Sequence, residues 1–161
     1  MKIEKNKITL RKATTGDVEA LIDYRIIFLK EAYGDPSADL ESVLRESLKD
    51  YFARSLKDDS FIFWMAEYES APVGFSGMVM REQPGNFEIP KGKTGYILNI
   101  FTLKEFRGNG IAPMLVNKLI EEGRLRKLSK IELHATREGE QVYRKIGFVE
   151  PHDKALEIIL E

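Results

Sequence analysis

Residues 107–110, Arg107-Gly108-Asn109-Gly110, set two glycines one residue apart after the apolar run NIFTLKEF and directly before a long amphipathic segment. Glycine has no Cβ, so such a turn reaches dihedrals closed to other residues and lets a ligand approach the main chain. Where successive amides lead into a helix they point outward together, and the helix dipole adds partial positive charge at the same place. The chemistry this predicts is anion binding, with phosphate the usual occupant. Pro113 fits the first helical turn, where its missing N–H is not needed. A plain strand-to-helix connection that happens to use glycine is the alternative, because short glycine motifs are weak signals.

Two better-known phosphate motifs fail by counting. A dinucleotide fingerprint needs a third glycine three residues after Gly110, where Pro113 stands. A P-loop is suggested by Gly92-Lys93-Thr94, but Phe87 occupies the first glycine position and a strand pattern follows, so KGKTG reads as a loop tip. A nucleotide-binding regulator using KGKTG is a rival that these mismatches weaken. His134 and His152 are the only histidines and there are no cysteines, too few ligands for a metal site. His134 reads as a structural residue. Arg124, Arg126, Lys127 and Lys130 close the long helical segment, where positive charge complements the C-terminal end of the dipole, so they do not predict nucleic-acid binding.

The elements that must hold this turn can be read from periodicity. Residues 7–13 alternate and predict a strand. Thr14, Thr15 and Asp17 offer capping oxygens ahead of a helical stripe, Val18, Leu21, Ile22, Arg25, Ile26 and Leu29, that Gly34-Asp35-Pro36 stops. A second helix is predicted over 40–56, with Val43, Leu44, Leu48, Tyr51 and Phe52 on one face. FIFWMAE and VGFSGMVM predict an antiparallel hairpin, with Gly74 and Gly77 marking a bulge or a close backbone approach. REQPGNFEIPKGKT predicts a long loop that borders a binding site. GYILNIFTL is the strand before the glycine turn, and the helix after it runs to about residue 127. A strand over 131–135, a helix over 138–146 and two short strands over 148–160 complete an α+β or α/β mixture around a largely antiparallel sheet.

Bulk properties agree with a single domain over residues 1–161, a length that buries roughly 70% of the unfolded chain's surface. At 43% hydrophobic and 32% charged the composition is that of a globular protein, and a net charge of −1 gives no field favouring nucleic acid or an anionic membrane. The N-terminal stretch MKIEKNKITLRKAT is charged throughout, without the apolar core of a secretory signal, and no apolar run approaches the ~18 residues of a membrane span. A cytoplasmic protein is expected.

The chain resembles the GCN5-related N-acetyltransferases. Arg107-Gly108-Asn109-Gly110-Ile111-Ala112 matches their [QR]-x-x-G-x-[GA] signature between the expected strand and helix, and Tyr143-Arg144-Lys145-Ile146-Gly147-Phe148 is similar to their Y-x-K-x-G-F segment. The element order of the whole chain also fits. The resemblance implies an acyl-CoA N-acyltransferase fold, an α/β/α sandwich whose fourth and fifth strands splay apart around acetyl-CoA. It implies that the pantetheine arm pairs with the backbone around Phe101, Thr102 and Leu103, and that the pyrophosphate sits on Gly108, Asn109, Gly110, Ile111 and Ala112 with Arg107 at the mouth of the turn. Exposed sheet edges of such folds often pair into homodimers.

Acetyl transfer to an amine needs a neutral amine, stabilisation of an oxyanion and a proton for the departing thiolate. The resemblance implies Tyr143 as general acid and a backbone amide of Ile100 or Phe101 as oxyanion donor. For a base, some relatives place a glutamate on the fourth strand, but residues 94–103 contain no carboxylate. Glu132 on the fifth strand is available, though it reads as a solvated strand residue, and Thr136 stands where many relatives have asparagine. Phe28, Tyr33 and the loop over 83–93 are expected to line the acceptor pocket. The activity implied is acetyl transfer from acetyl-CoA to a primary amine of a small molecule or an exposed amino group. The missing strand carboxylate keeps a second reading open, a non-catalytic acyl-CoA sensing domain.

Overall fold

A computed structural model describes residues 2–160. Its strands are β1 (Ile8–Lys12), β2 (Phe61–Tyr68), β3 (Ala71–Glu82), β4 (Lys93–Thr102) and β5 (Lys130–Leu133). Its α-helices are α1 (Val18–Tyr33), α2 (Ala38–Ser55), α3 (Ile111–Leu125) and α4 (Glu140–Ile146). The strands lie in chain order in one sheet. Pairing is antiparallel from β1 through β4 and parallel between β4 and β5.

Both faces of the sheet are covered, which is why FIFWMAE shows no polar alternation. Phe61, Phe63 and Met65 join Leu21, Ile22 and Ile26 of α1 and Phe52 of α2 on one side. Ile62 and Ala66 point the other way, where Leu115, Val116 and Leu119 of α3 lie. The result is the expected α/β/α sandwich with a mostly antiparallel sheet. Capping residues set the helix starts: the Thr14 amide donates to Asp17 Oδ2 at 2.7 Å ahead of α1, and Ser37 Oγ accepts from the Leu40 amide at 3.3 Å to begin α2. Val43 lies off the buried face of α2, 66% exposed.

Gly74 and Gly77 mark close approaches, as expected. A Cβ on Gly74 would lie 2.8 Å from Ile111 Cγ2 and 3.1 Å from the Phe101 carbonyl oxygen, and one on Gly77 would lie 2.4 Å from the Phe61 ring. The absent side chain at Gly74 thus lets α3 sit directly on β3.

The C-terminal segment differs from expectation. Residues 148–160 form no strand, and Val149, Leu156, Ile158, Ile159 and Leu160 are exposed. A strand exists only where a neighbour takes its main-chain groups. β5 is four residues long and pairs only with β4 among the described residues, and Pro151 interrupts the segment that would extend the sheet.

Candidate active site

The parallel ladder between β4 and β5 runs from Thr94↔Lys130 to Ile97↔Leu133 and stops there, while β4 continues to Thr102. The expected splay is therefore present, and residues 98–102 offer an edge with no β5 partner. A cavity of about 590 Å³ fills the gap, walled by Ile100 and Thr102 of β4, Phe28 and Glu31 of α1, Arg107 and Tyr143.

A bulge interrupts β4 beside this gap. Gly77 pairs with Leu98 and Phe75 with Phe101, so Ser76 alone faces both Asn99 and Ile100. Asn99 adopts φ 57°, a left-handed conformation that asparagine tolerates better than most residues. The extra residue resets the alternation: Leu98 and Phe101 both pack on the α1 and α2 side, whereas Ile97 and Ile100 pack toward α3. Asn99 joins Leu98 in walling a second cavity of about 260 Å³ on the α1 and α2 side. One strand thus separates two cavities, with Asn99 bordering one and Ile100 the other.

The three residues expected along the open edge behave differently. The Leu103 amide donates to the Val73 carbonyl at 2.9 Å and its carbonyl accepts from the Phe106 amide at 2.9 Å, so Leu103 closes the strand instead of lining the gap. Both main-chain groups of alternate residues in an antiparallel ladder point the same way. Phe101 therefore turns its main-chain groups toward β3 with Leu103, and Ile100 and Thr102 turn theirs toward the gap. The Phe101 ring stacks on Phe75 at 5.1 Å in the core, and Phe101 also lines the larger cavity. The Thr102 carbonyl accepts from Arg107 Nε at 2.9 Å, and its buried hydroxyl has no partner among the described residues.

The glycine turn has the conformation its sequence predicts. Gly108 and Gly110 adopt φ of 78° and 81°. Added Cβ atoms would meet nothing within 4 Å at Gly108 and only Lys5 Nζ, 3.9 Å away, at Gly110. The amides of Gly108, Gly110, Ile111 and Ala112 have no acceptor among the described residues. Asn109 turns inward. Its Nδ2 donates to the carbonyls of Phe106 and Arg107 at 2.9 and 3.3 Å, and its Oδ1 accepts from the Ile3 amide at 3.2 Å. Arg107 pairs with Glu31 through Nη2 and lies over the Phe101 ring at 5.5 Å, fastening the turn to α1 and β4.

α4 presents Tyr143 from the far wall. Thr136 begins this helix, accepting from the Gly139 amide through Oγ1 at 3.2 Å and from the Glu140 amide through its carbonyl at 3.0 Å. Tyr143 is half-buried, and its hydroxyl has no hydrogen-bond partner among the described residues. Burial pushes its pKa above the ordinary value of 10, because a phenolate is harder to solvate there. It therefore holds its proton across the neutral range.

Other expected residues lie elsewhere. Glu132 is exposed enough to pair with Lys130 at 3.1 Å and borders neither cavity. His134 Nδ1 lies 2.7 Å from the Tyr96 hydroxyl, the structural role expected of it. Phe28 does line the larger cavity, but Tyr33 is 82% exposed and the loop over 83–92 borders neither cavity. Among the described residues no cluster of three or more His, Cys, Asp or Glu could hold a metal ion. No described helix is long and apolar enough to cross a membrane.

Lys5, Glu31 and Asn99 are not singled out as site residues by the sequence, and Arg25 reads there only as a member of the α1 stripe. Arg25 and Asn99 meet across 74 positions and Arg107 and Glu31 across 76, separations that no local pattern reports. Asn99 did carry a signal, since asparagine is depleted from strands and marks an irregularity inside an apolar one.

With the splayed strands, the β4 bulge and the glycine turn in place, comparison with known proteins is decisive about the class. The profile of the acetyltransferase (GNAT) family matches residues 25–148. This chain belongs to that family. An uncharacterized N-acetyltransferase of Methanocaldococcus jannaschii is 33% identical over 103 residues, covering 62% of this chain but 44% of that protein, so the chain spans less than half of that relative's length. A predicted acetyltransferase from Clostridium acetobutylicum, solved with acetyl-CoA, superposes with a TM-score of 0.85 at 30% identity, covering 95% of this chain and 96% of that one. A GCN5-related N-acetyltransferase from Ralstonia eutropha JMP134 gives 0.80 at 26%, covering 94% and 98%.

Proposed function

We propose that this chain is an acetyl-CoA-dependent N-acetyltransferase acting on a primary amine of a small molecule. The observation that carries the reading is the juxtaposition of four acceptorless amides at the glycine turn with the unpaired edge of β4. These are the two kinds of main-chain group that a diphosphate joined to an amide-rich arm would use. Acetyl-CoA supplies an acyl group activated as a thioester.

The residues divide the remaining tasks. Gly108, Gly110, Ile111 and Ala112 bind the diphosphate through their amides, with Lys5 adding a positive charge close by. Asn109 and Arg107 keep the turn in shape, the first through its side-chain hydrogen bonds and the second through Glu31 and Thr102. The β4 edge at Ile100 and Thr102 orients the pantetheine arm, and the Ile100 amide is the oxyanion donor that the alternation favours. Phe28 and Val142, which both line the larger cavity, exclude water. Tyr143 keeps a proton on its hydroxyl for the departing sulfur. In the overall exchange the acceptor nitrogen forms a C–N bond as the C–S bond breaks. The proton shed by the amine balances the one taken up by the thiolate.

Two measurements test this reading. Calorimetry with acetyl-CoA and with ATP is expected to show at least a tenfold preference for acetyl-CoA, and preference for ATP would overturn the assignment. Thiol release with a panel of amines is then expected to be acceptor-dependent. Binding of acetyl-CoA with no release for any amine would instead support the non-catalytic sensing domain.

A further inference from the structure

The smaller cavity holds a cation with no counter-charge. Arg25 projects from α1 into it and is half-buried. Among the described residues no carboxylate lies within 4 Å of its guanidinium, and its hydrogen bonding is limited to Nη1 donating to Asn99 Oδ1. Its other close contact is the Phe28 ring, at 5.8 Å. Arg54, Arg81, Arg124 and Arg137 also lack ion pairs among the described residues but are exposed to solvent. Arg11, Arg45, Arg107, Arg126 and Arg144 are all paired. Burial pushes the Arg25 pKa down, yet a guanidinium stays charged in proteins. A partly desolvated charge without a partner is costly, and an anion in the cavity relieves that cost.

A second, independent group points the same way. Asn99 is 3% exposed, and its Nδ2 has no hydrogen-bond partner among the described residues. Its carbonyl oxygen is held by Arg25, so the unused amide hydrogens border the same space as the unused guanidinium hydrogens. The left-handed bulge at Asn99 is what turns this side chain toward α1. Two orphan donors, one of them charged, thus converge in one cavity. The other walls, Leu48, Tyr51, Phe52 and Leu98, are predominantly apolar.

The cavity adjoins the proposed donor site along two elements at once. Asn99 and Ile100 are consecutive on β4, and Arg25 and Phe28 are one helical turn apart on α1, with the second of each pair lining the larger cavity. A volume of about 260 Å³ lies just below the usual span of about 300–1,000 Å³ for ligand pockets, which fits a small acceptor. One fixed positive charge matches a monoanion. Resting on the acetyltransferase reading above, we propose that the acceptor is an amine of amino-acid size bearing a carboxylate. Arg25 takes the carboxylate, the Asn99 amide completes its hydrogen bonding, and the apolar walls take an apolar substituent. The same guanidinium disfavours polycationic amines.

The experiment compares L-leucine, L-methionine, L-phenylalanine and L-tryptophan with their primary amides, which keep the shape and remove the negative charge. The wild-type protein is expected to prefer the best acid over its amide by about 10- to 100-fold in kcat/KM, in line with about 1.5–3 kcal/mol for a hydrogen bond to a charged group. Arg25→Gln keeps a donor for Asn99 but not the charge, and is expected to reduce that preference to within about threefold, mainly through KM for the acid. Arg25→Lys is expected to retain part of it. Equal use of acid and amide by the wild-type protein, or an equal fall for both in Arg25→Gln, would overturn the proposal and leave Arg25 as a prop for the bulge.

An NMR titration of the apoprotein with the same acids and amides, following the Asn99 side-chain amide, separates this failure from failure of the acetyltransferase reading. Acid-specific shifts that Arg25→Gln abolishes support the carboxylate site even if no thiol is released. Absence of acid-specific shifts in a protein that acetylates uncharged amines refutes the site alone.

Discussion

Replacing Gly110 with aspartate tests the anion cradle directly. The residue sits at φ 81° at the N-cap of α3, and an added Cβ approaches nothing nearer than Lys5 Nζ at 3.9 Å. The side chain therefore has room. Its left-handed backbone costs about 1–2 kcal/mol for an ordinary residue and less for aspartate. Aspartate's usual N-cap gain needs extended dihedrals that this residue does not have, so the strain is not offset. The melting temperature is expected to move by no more than a few degrees. Ligand binding should respond very differently. A carboxylate placed about 4 Å from a phosphate charge is opposed by about 4 kcal/mol at an effective dielectric of 20. Solvent screening and rotation of the side chain away from the turn reduce this to ~2 kcal/mol, or about a 30-fold rise in Kd for acetyl-CoA. Calorimetry at low and high salt measures it, and the penalty should shrink as salt is added. Gly110→Ala supplies the backbone strain without the charge. A folded Gly110→Asp protein with unchanged Kd would refute the cradle.

Tyr143→Phe is expected to lower kcat by about 10- to several hundred-fold, with acetyl-CoA binding retained. Because burial raises the phenol pKa above its ordinary value, the wild-type rate should show no loss from this group across the neutral range, and a Tyr143-dependent fall by pH 8 would contradict its role. Asp17, whose pKa is lowered from 3.8 to about 2 by its hydrogen bonds from Arg11 and then from Thr14, contributes stability that is fully present above pH 4 and is lost as pH falls toward 2. At about 1.4 kcal/mol per pH unit the ceiling is ~2.5 kcal/mol, reduced to ~1–2 kcal/mol by the exposure of Arg11. Urea titrations comparing wild type with Asp17→Asn at pH 7 and pH 2.5 should show a gap that narrows in acid. Gly74→Val should destabilise the fold by about 1–3 kcal/mol through overpacking against Ile111 and the Phe101 carbonyl, measurable by chemical denaturation, and an unchanged midpoint would show that α3 can shift to make room.

The parts of this architecture that depend on local pattern were legible in the sequence. Helical stripes placed α1 and α2, although Val43 was put on a face it does not share. The double-sided burial of β2 was visible as an unbroken apolar run. The glycine turn was readable because the φ values of Gly108 and Gly110 require a residue without a Cβ. Long-range meetings were not legible. Nothing near Arg25 announces Asn99, and nothing near Arg107 announces Glu31. Which amides of β4 face the gap also depends on a one-residue bulge that shifts every later side chain, so Leu103 was expected on an edge from which Val73 and Phe106 withdraw it. Apolar composition alone suggested strands over 148–160, but a strand is defined by its neighbour, which the described residues do not supply.

α1 carries Arg25 beside one cavity and Glu31 beside the other, and Glu31 grips Arg107 at the head of the glycine turn. A helix is stiff over the two turns that separate these residues, so neither end moves without the other. On the proposed reading, occupancy of the glycine turn then biases the position from which Arg25 meets an acceptor. Thermodynamic reciprocity requires each ligand to alter the other's affinity by the same factor. α1 thus acts as a lever between the two proposed sites, and Glu31→Gln, which loosens the hold on Arg107 in the wall of the larger cavity, is expected to weaken that coupling.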